Sequence, residues 1–205
     1  IQSHIYREEM SLMHVPDLLP FNVGMIGPVI AQFGSPEMKE RFLAKTANLD
    51  IWWCQGFSEP EAGSDLASLS MAAVSDGDDF VVTGSKIWTT HAAEANWIFC
   101  LVRTSRQERK QQGITFLLID MNSPGIEVQP LVMASGEQVQ AQVFFDGVRV
   151  PKKNVLGKVD EGWTVAKYLL IFERGGGAAA PALQVMAENI AEEAASMTGP
   201  SGVPL

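Results

Sequence analysis

Three groups of residues carry side chains whose types and spacing suit chemistry. The first is Gly56-Phe57-Ser58-Glu59-Pro60, with Ala62-Gly63-Ser64-Asp65 directly behind it. The second is Lys86-Ile87-Trp88-Thr89-Thr90. The third is Glu173. Ile51 to Phe57 is apolar and aromatic, as in a buried strand, and Pro60 and Gly63 then force a loop. The strand thus ends in a turn whose successive backbone N–H groups and Ser58 hydroxyl form a donor array. Such an array suits a planar ring edged with carbonyl and imine acceptors. At the end of another short strand, the Trp88 indole can pack on the face of a conjugated ring, and a threonine hydroxyl can bond to a ring nitrogen. Trp163, Ala166, Leu169, Leu170 and Glu173 recur at helical steps, which sets Glu173 on an otherwise apolar side. A carboxylate on a buried face can serve as a general base.

The elements that must position these groups change character along the chain. Residues 1 to about 50 read as helices joined by turns. Gly24 to Phe33 is mostly apolar, and Ser35-Pro36-Glu37 starts a helix with a capping hydroxyl, a proline at the first helical position and an acid in the first turn. Met38, Phe42 and Leu43 then share a face. From Ile51 onward the pattern is strands: Ile51 to Phe57, Ser70 to Val74, Phe80 to Thr83, Lys86 to Thr89, Trp97 to Val102, Ile114 to Asp120, Gly125 to Pro130 and Gln142 to Phe145. Short strands without long helices between them imply an antiparallel barrel or sandwich. Arg103 to Gln112 reads as a solvated hairpin tip. Helix returns at Trp163 and falters at Gly175-Gly176-Gly177 and Pro181, where either the helix kinks or the glycines let a neighbouring backbone or ligand approach closely; it resumes over Ala187 to Ala195. The fold class is α+β, with helical segments flanking an antiparallel β-barrel or sandwich. The expected division is 1–50 helical, 51–160 β and 161–205 helical.

Composition narrows the function. Asp and Glu outnumber Lys and Arg 24 to 15, for a net charge of -9. That disfavours nucleic acid and anionic membrane surfaces, which need clustered positive charge. The apolar runs are strand-length, short of the roughly 20 residues a bilayer requires, and the N-terminal residues lack a secretory pattern. A cytoplasmic or equivalent reducing location is expected. Cys54 and Cys100 sit in apolar runs as small buried hydrophobes. His4, His14 and His91 lack ligand spacing, so no metal site is expected.

The pattern FSEPEAGSD, then GSKIWTT, then Asn96-Trp97 and Phe144-Phe145-Asp146-Gly147-Val148-Arg149-Val150-Pro151 resembles the acyl-CoA dehydrogenase family of flavoproteins. The resemblance covers essentially the whole chain. It corresponds to the end of the family's N-terminal helical domain, the β middle domain and the start of the C-terminal helical domain, so the chain reads as a fragment. It implies an FAD-dependent oxidoreductase of fatty acid metabolism and lipid degradation, converting an acyl-CoA thioester to the trans-2-enoyl-CoA and passing electrons to an electron-transfer flavoprotein. It also implies a homo- or hetero-oligomer, a dimer or tetramer. Carried over by position, Phe57 and Ser58 contact the pyrimidine end of the flavin, Trp88 covers one face, Thr90 bonds near N5, and Gln55 and Thr89 complete the cofactor-binding set. Ser64 touches the CoA portion and Arg174 lies near the pantetheine. The catalytic base in the family comes either from a C-terminal loop beyond this chain or from a glutamate on the first helix after the β domain, the position that Glu173 occupies. SGEQVQAQVFFDGVRVP and GWTVAKYLLIFER further resemble bacterial members similar to the pimeloyl-CoA dehydrogenase large subunit and to steroid side-chain dehydrogenases. Two alternatives stay open: an acyl-CoA oxidase-like or nitroalkane oxidase-like enzyme, and a non-catalytic paralogous subunit.

Overall fold

A computed structural model of the chain describes residues 2–15, 19–174, 179–199 and 202. Helix α1 (Gln2–Leu12) is followed by a π-helical turn (Asn22–Ile26), α2 (Gly27–Phe33) and α3 (Pro36–Ala47). The strands are β1 (Trp53–Gly56), β2 (Ala72–Asp76), β3 (Asp79–Thr90), β4 (Trp97–Arg103), β5 (Ile114–Asp120), β6 (Ile126–Leu131) and β7 (Gln140–Pro151). Helices α4 (Gly162–Arg174) and α5 (Ala179–Ser196) close the chain. Gly175-Gly176-Gly177, expected to interrupt the last helices, lies outside the described residues. Two compact units result: Leu19–Ile171, and Ile1–Leu18 together with Phe172–Leu205. In the second unit α1 packs on α5. Among the described residues no helix is long and apolar enough to cross a membrane.

The seven strands form one sheet in the order β1-β4-β2-β3-β7-β6, with β5 on the other edge of β4. Most pairings are antiparallel, as expected. The sheet is nevertheless mixed, because β1 joins β4 in parallel, Trp53 opposite Trp97 and Gly56 opposite Cys100. Strands β4 and β5 are buried on both faces, which explains their unbroken apolar runs. Trp97, Phe99, Leu101, Phe116 and Leu118 turn toward the helices, while Ile98, Cys100, Val102, Leu117 and Ile119 face the other core. Two of the expected strands, Phe80 to Thr83 and Lys86 to Thr89, are one strand here. Gly84 does not break it; at φ 143° it carries β3 through a register shift against β7, the role of a bulge glycine.

Residues 22–47 pack into the same compact unit as the sheet. Helix α3 starts where Ser35 Oγ accepts from the Met38 N–H at 3.2 Å, with Pro36 at its first position. Its Phe42 is fully buried and meets Trp53 and Trp97 at centroid distances of 5.5 and 4.9 Å. The buried Asn22 amide donates to the carbonyls of Thr46 and Ile51, and its carbonyl accepts from Trp53 N–H. The Trp53 indole N–H bonds Thr46 Oγ1 at 2.9 Å. These bonds satisfy the polar groups where the helices hand over to β1, and so fix where the loop after β1 begins.

Candidate functional site

The loop after β1 is anchored by Phe57, whose buried ring stands edge-on to Phe99 and Phe116, 6.0 Å from each. Gly56 permits the entry. A Cβ there would lie 2.5 Å from Cys100 Sγ, 2.9 Å from Ile98 Cδ1 and 3.2 Å from Lys86 Cγ. Ser58 follows, half-buried. Its carbonyl accepts from the Ile87 N–H at 2.9 Å, which joins the loop to β3 directly before Trp88.

The join is reinforced by a buried ion pair that sequence reasoning did not single out. Lys86 Nζ lies 2.8 Å from Glu59 Oε1, with the side chains 0% and 5% exposed. Nζ also donates to the Phe57 carbonyl at 3.1 Å. Glu59 Oε2 accepts from Ser70 N and Oγ at 2.7 and 3.0 Å, and Oε1 from Met71 N at 2.9 Å. Burial alone would raise the Glu59 pKa, but the Lys86 charge, its hydrogen bond and the two backbone N–H groups outweigh it and hold the carboxyl below its ordinary value. Burial lowers the Lys86 pKa, and Glu59 offsets part of that. Cys100 nearby is pushed up to about 12 by burial, an inert thiol at neutral pH.

Trp88 is the unusual residue. Between Lys86, opposite Val143, and Thr89, opposite Ala141, β3 carries one more residue than β7. At this bulge Trp88 adopts φ 59°, a left-handed conformation that is a genuine outlier for a bulky side chain. Its indole is 58% exposed. Thr89 turns inward, and its buried hydroxyl has no hydrogen-bond partner among the described residues. The half-buried Thr90 hydroxyl exchanges hydrogen bonds with the Gln140 amide at 2.9 and 3.2 Å. Gln55 is half-buried on β1.

Three further residues are expected at the substrate: Ser64, Glu173 and Arg174. Ser64 is exposed beside Asp65, which pairs with Lys110 at 2.7 Å across the β4–β5 connection. Arg103, the last residue of β4, gathers the carbonyls of Ala67, Leu69, Lys110 and Gln112, so the expected hairpin tip is tied to the loop behind Ser64. Glu173 and Arg174 are exposed in the last turn of α4. The buried stripe of that helix, Val165, Ala166 and Leu169, ends before Glu173, so the carboxylate does not face a buried surface as expected. Both residues belong to the terminal unit.

The observations define a class first. The fold is α+β, a mixed, mostly antiparallel sheet with helices packed against it, and it presents an exposed indole on a strained bulge directly after Ile87, whose N–H bonds the loop that follows β1. Sequence comparison agrees. A family profile described as acyl-CoA dehydrogenase, middle domain, matches residues 54–148. Acyl-CoA dehydrogenase IpdE1 of Mycobacterium tuberculosis is 39% identical over 171 residues, covering 83% of this chain and 44% of the relative. A solved structure titled Tcur3481-Tcur3483 steroid ACAD superposes with a TM-score of 0.86 at 31% identity, over 94% of this chain and 50% of that one. The ChsE4-ChsE5 complex of Mycobacterium tuberculosis superposes with a TM-score of 0.85 at 30% identity, over 98% and 52%. The chain belongs to the acyl-CoA dehydrogenase family, and it spans about half the length of these relatives.

Members of this family bind FAD. The residues present fit such a group. The buried Thr89 hydroxyl lacks a partner among the described residues, and an apolar indole is held exposed beside it at a cost in backbone strain.

Proposed function

We propose that this chain forms the cofactor-gripping part of an FAD-dependent acyl-CoA dehydrogenase. The reaction is α,β-dehydrogenation of an acyl-CoA thioester to the trans-2-enoyl-CoA, with electrons passed on to an electron-transfer flavoprotein. The observation that carries this reading is Trp88, exposed at φ 59° on a bulge two residues from the Lys86–Glu59 clamp. Strain of this kind persists where surrounding structure over-determines it, and it clusters at ligand sites.

Phe57 and Ser58 would grip the pyrimidine edge of the ring, Trp88 would cover one face, and the hydroxyls of Thr89 and Thr90 would face its edge, with Gln55 at the strand end. Bound FAD would supply the acceptor for the hydride lost from the β carbon. A carboxylate must take the α proton. Glu173 is the candidate in this chain, its exposed side chain needing cover from substrate or protein to act as a base. Ser64 and Arg174 would hold the CoA portion. Polarising the thioester carbonyl with hydrogen bonds is what makes so weak a carbon acid reactive. The ChsE4-ChsE5 structure is a complex, which supports reading the parent protein as a subunit of an oligomer.

The test is an anaerobic titration of the purified parent protein with thioesters of different chain length and branching, including alicyclic and steroid side-chain acyl-CoAs. Bleaching of the flavin band by one class supports the reading and names the substrate. A flavin band that no thioester bleaches overturns it. Oxygen consumption without an added acceptor would replace the dehydrogenase with an oxidase.

A further inference from the structure

Three consecutive residues of the loop after β1 are each held from two consecutive residues of β3. Lys86 Nζ bonds the Phe57 carbonyl at 3.1 Å, Ile87 N–H bonds the Ser58 carbonyl at 2.9 Å, and Lys86 Nζ bonds Glu59 Oε1 at 2.8 Å. Trp88 is the next residue. The lysine thus holds both neighbours of Ser58, with its stem close against Gly56. Glu59 extends the clamp, since its other bonds reach Ser70 and Met71 at the entry to β2.

A buried ion pair is a poor way to gain stability, because desolvating two charges offsets most of their attraction, and neutral residues of similar volume often serve as well. Charge does offer reach and direction. One ammonium with three donors can fix a carbonyl and a carboxylate on either side of a serine, whereas an apolar side chain would leave both free to shift. We propose that Lys86 and Glu59 are positioning residues for flavin binding, setting the Phe57–Ser58 edge donors at a fixed spacing from the Trp88 platform. This rests on the flavin reading above. The pair touches neither ring edge nor substrate itself; it acts through Ser58 and Trp88.

The test compares the full-length parent with Lys86→Met/Glu59→Gln, which removes both charges and strands neither. Three quantities are read: thermal unfolding, the FAD dissociation constant by visible absorbance, and the visible circular dichroism of bound flavin, which reports the asymmetry of its surroundings. The double variant is expected to unfold within a few degrees of the parent, to bind FAD about tenfold more weakly or worse, and to show an altered visible dichroism band. Parent-like affinity with an unchanged band overturns the proposal and leaves the pair structural. Ser70→Ala is the second variant. It changes an exposed residue, removes only one of the donors to Glu59, and should weaken FAD about threefold with the fold intact. If the double variant does not fold, unchanged affinity in Ser70→Ala overturns the proposal. Failure of the parent itself to bind FAD is a different result, which overturns the flavin reading and the proposal with it.

Discussion

Replacing Trp88 by glycine and, separately, by alanine isolates the strain that the bulge imposes. Both substitutions remove the same indole, already 58% exposed, so the lost packing is nearly common to the two and cancels in the comparison. What differs is the backbone. At φ 59° a residue with a Cβ costs about 1–2 kcal/mol, and glycine does not. Against this, glycine in an ordinary strand is worse than alanine by about 0.5–1 kcal/mol. The difference leaves the glycine variant more stable, by about 0.8 kcal/mol between the central values and by at most about 1.5 kcal/mol. For a protein of about 200 residues that separates the two Tm values by about 1–4 °C. Thermal unfolding followed by far-ultraviolet circular dichroism, on paired samples without added ligand, measures it. The order is the reverse of that in a regular strand, which makes the sign decisive. An alanine variant more stable than the glycine variant would refute a left-handed Trp88 and remove the argument that strain is stored there for a ligand.

Other perturbations follow from the same geometry. Phe42→Ala empties a site fully buried against Trp53 and Trp97 and should cost about 3–5 kcal/mol in denaturant unfolding. Gly56→Ala drives a Cβ to 2.5 Å from Cys100 Sγ; overpacking of this kind costs about 1–3 kcal/mol, and Cys100→Ala in the same chain should recover part of it. Arg103→Ala releases the carbonyls of Ala67, Leu69, Lys110 and Gln112, which should speed limited proteolysis at residues 64–70 and 104–112 with a stability loss of about 1–3 kcal/mol. Glu59 is held below its ordinary value of 4.5, so as the pH falls the unfolded chain takes up this proton first. Its stabilisation is present above pH 4.5 and is lost as the pH falls through the lower folded value. The Tm of the parent should therefore drop more steeply below pH 4.5 than that of Lys86→Met/Glu59→Gln.

The sequence displayed the local parts of this account better than the long-range ones. Alternation and apolar runs located β4 and β5 closely, because both faces of those strands are buried. The cap of α3 was readable from Ser35-Pro36-Glu37, since capping is decided within one turn. Lys86 and Glu59 were in view inside their motifs, yet their pairing was not, because a contact across 27 positions leaves no periodic trace. Gly84 looked like a strand end, and only its partner strand shows it to be a bulge. Arg103 reads as one more charge in a polar loop until the carbonyls it gathers are known. Glu173 matched the helical period of the stripe, but burial of α4 stops at Leu169, and period alone does not say where cover ends.

The most direct measurement is the visible spectrum of the purified full-length parent protein, with the released cofactor quantified after denaturation. A flavin band near one FAD per chain in the parent, lost in Trp88→Ala while the fold is retained, is the expected result. A parent that stays colourless when FAD is supplied would contradict the account and favour a non-catalytic member of the family.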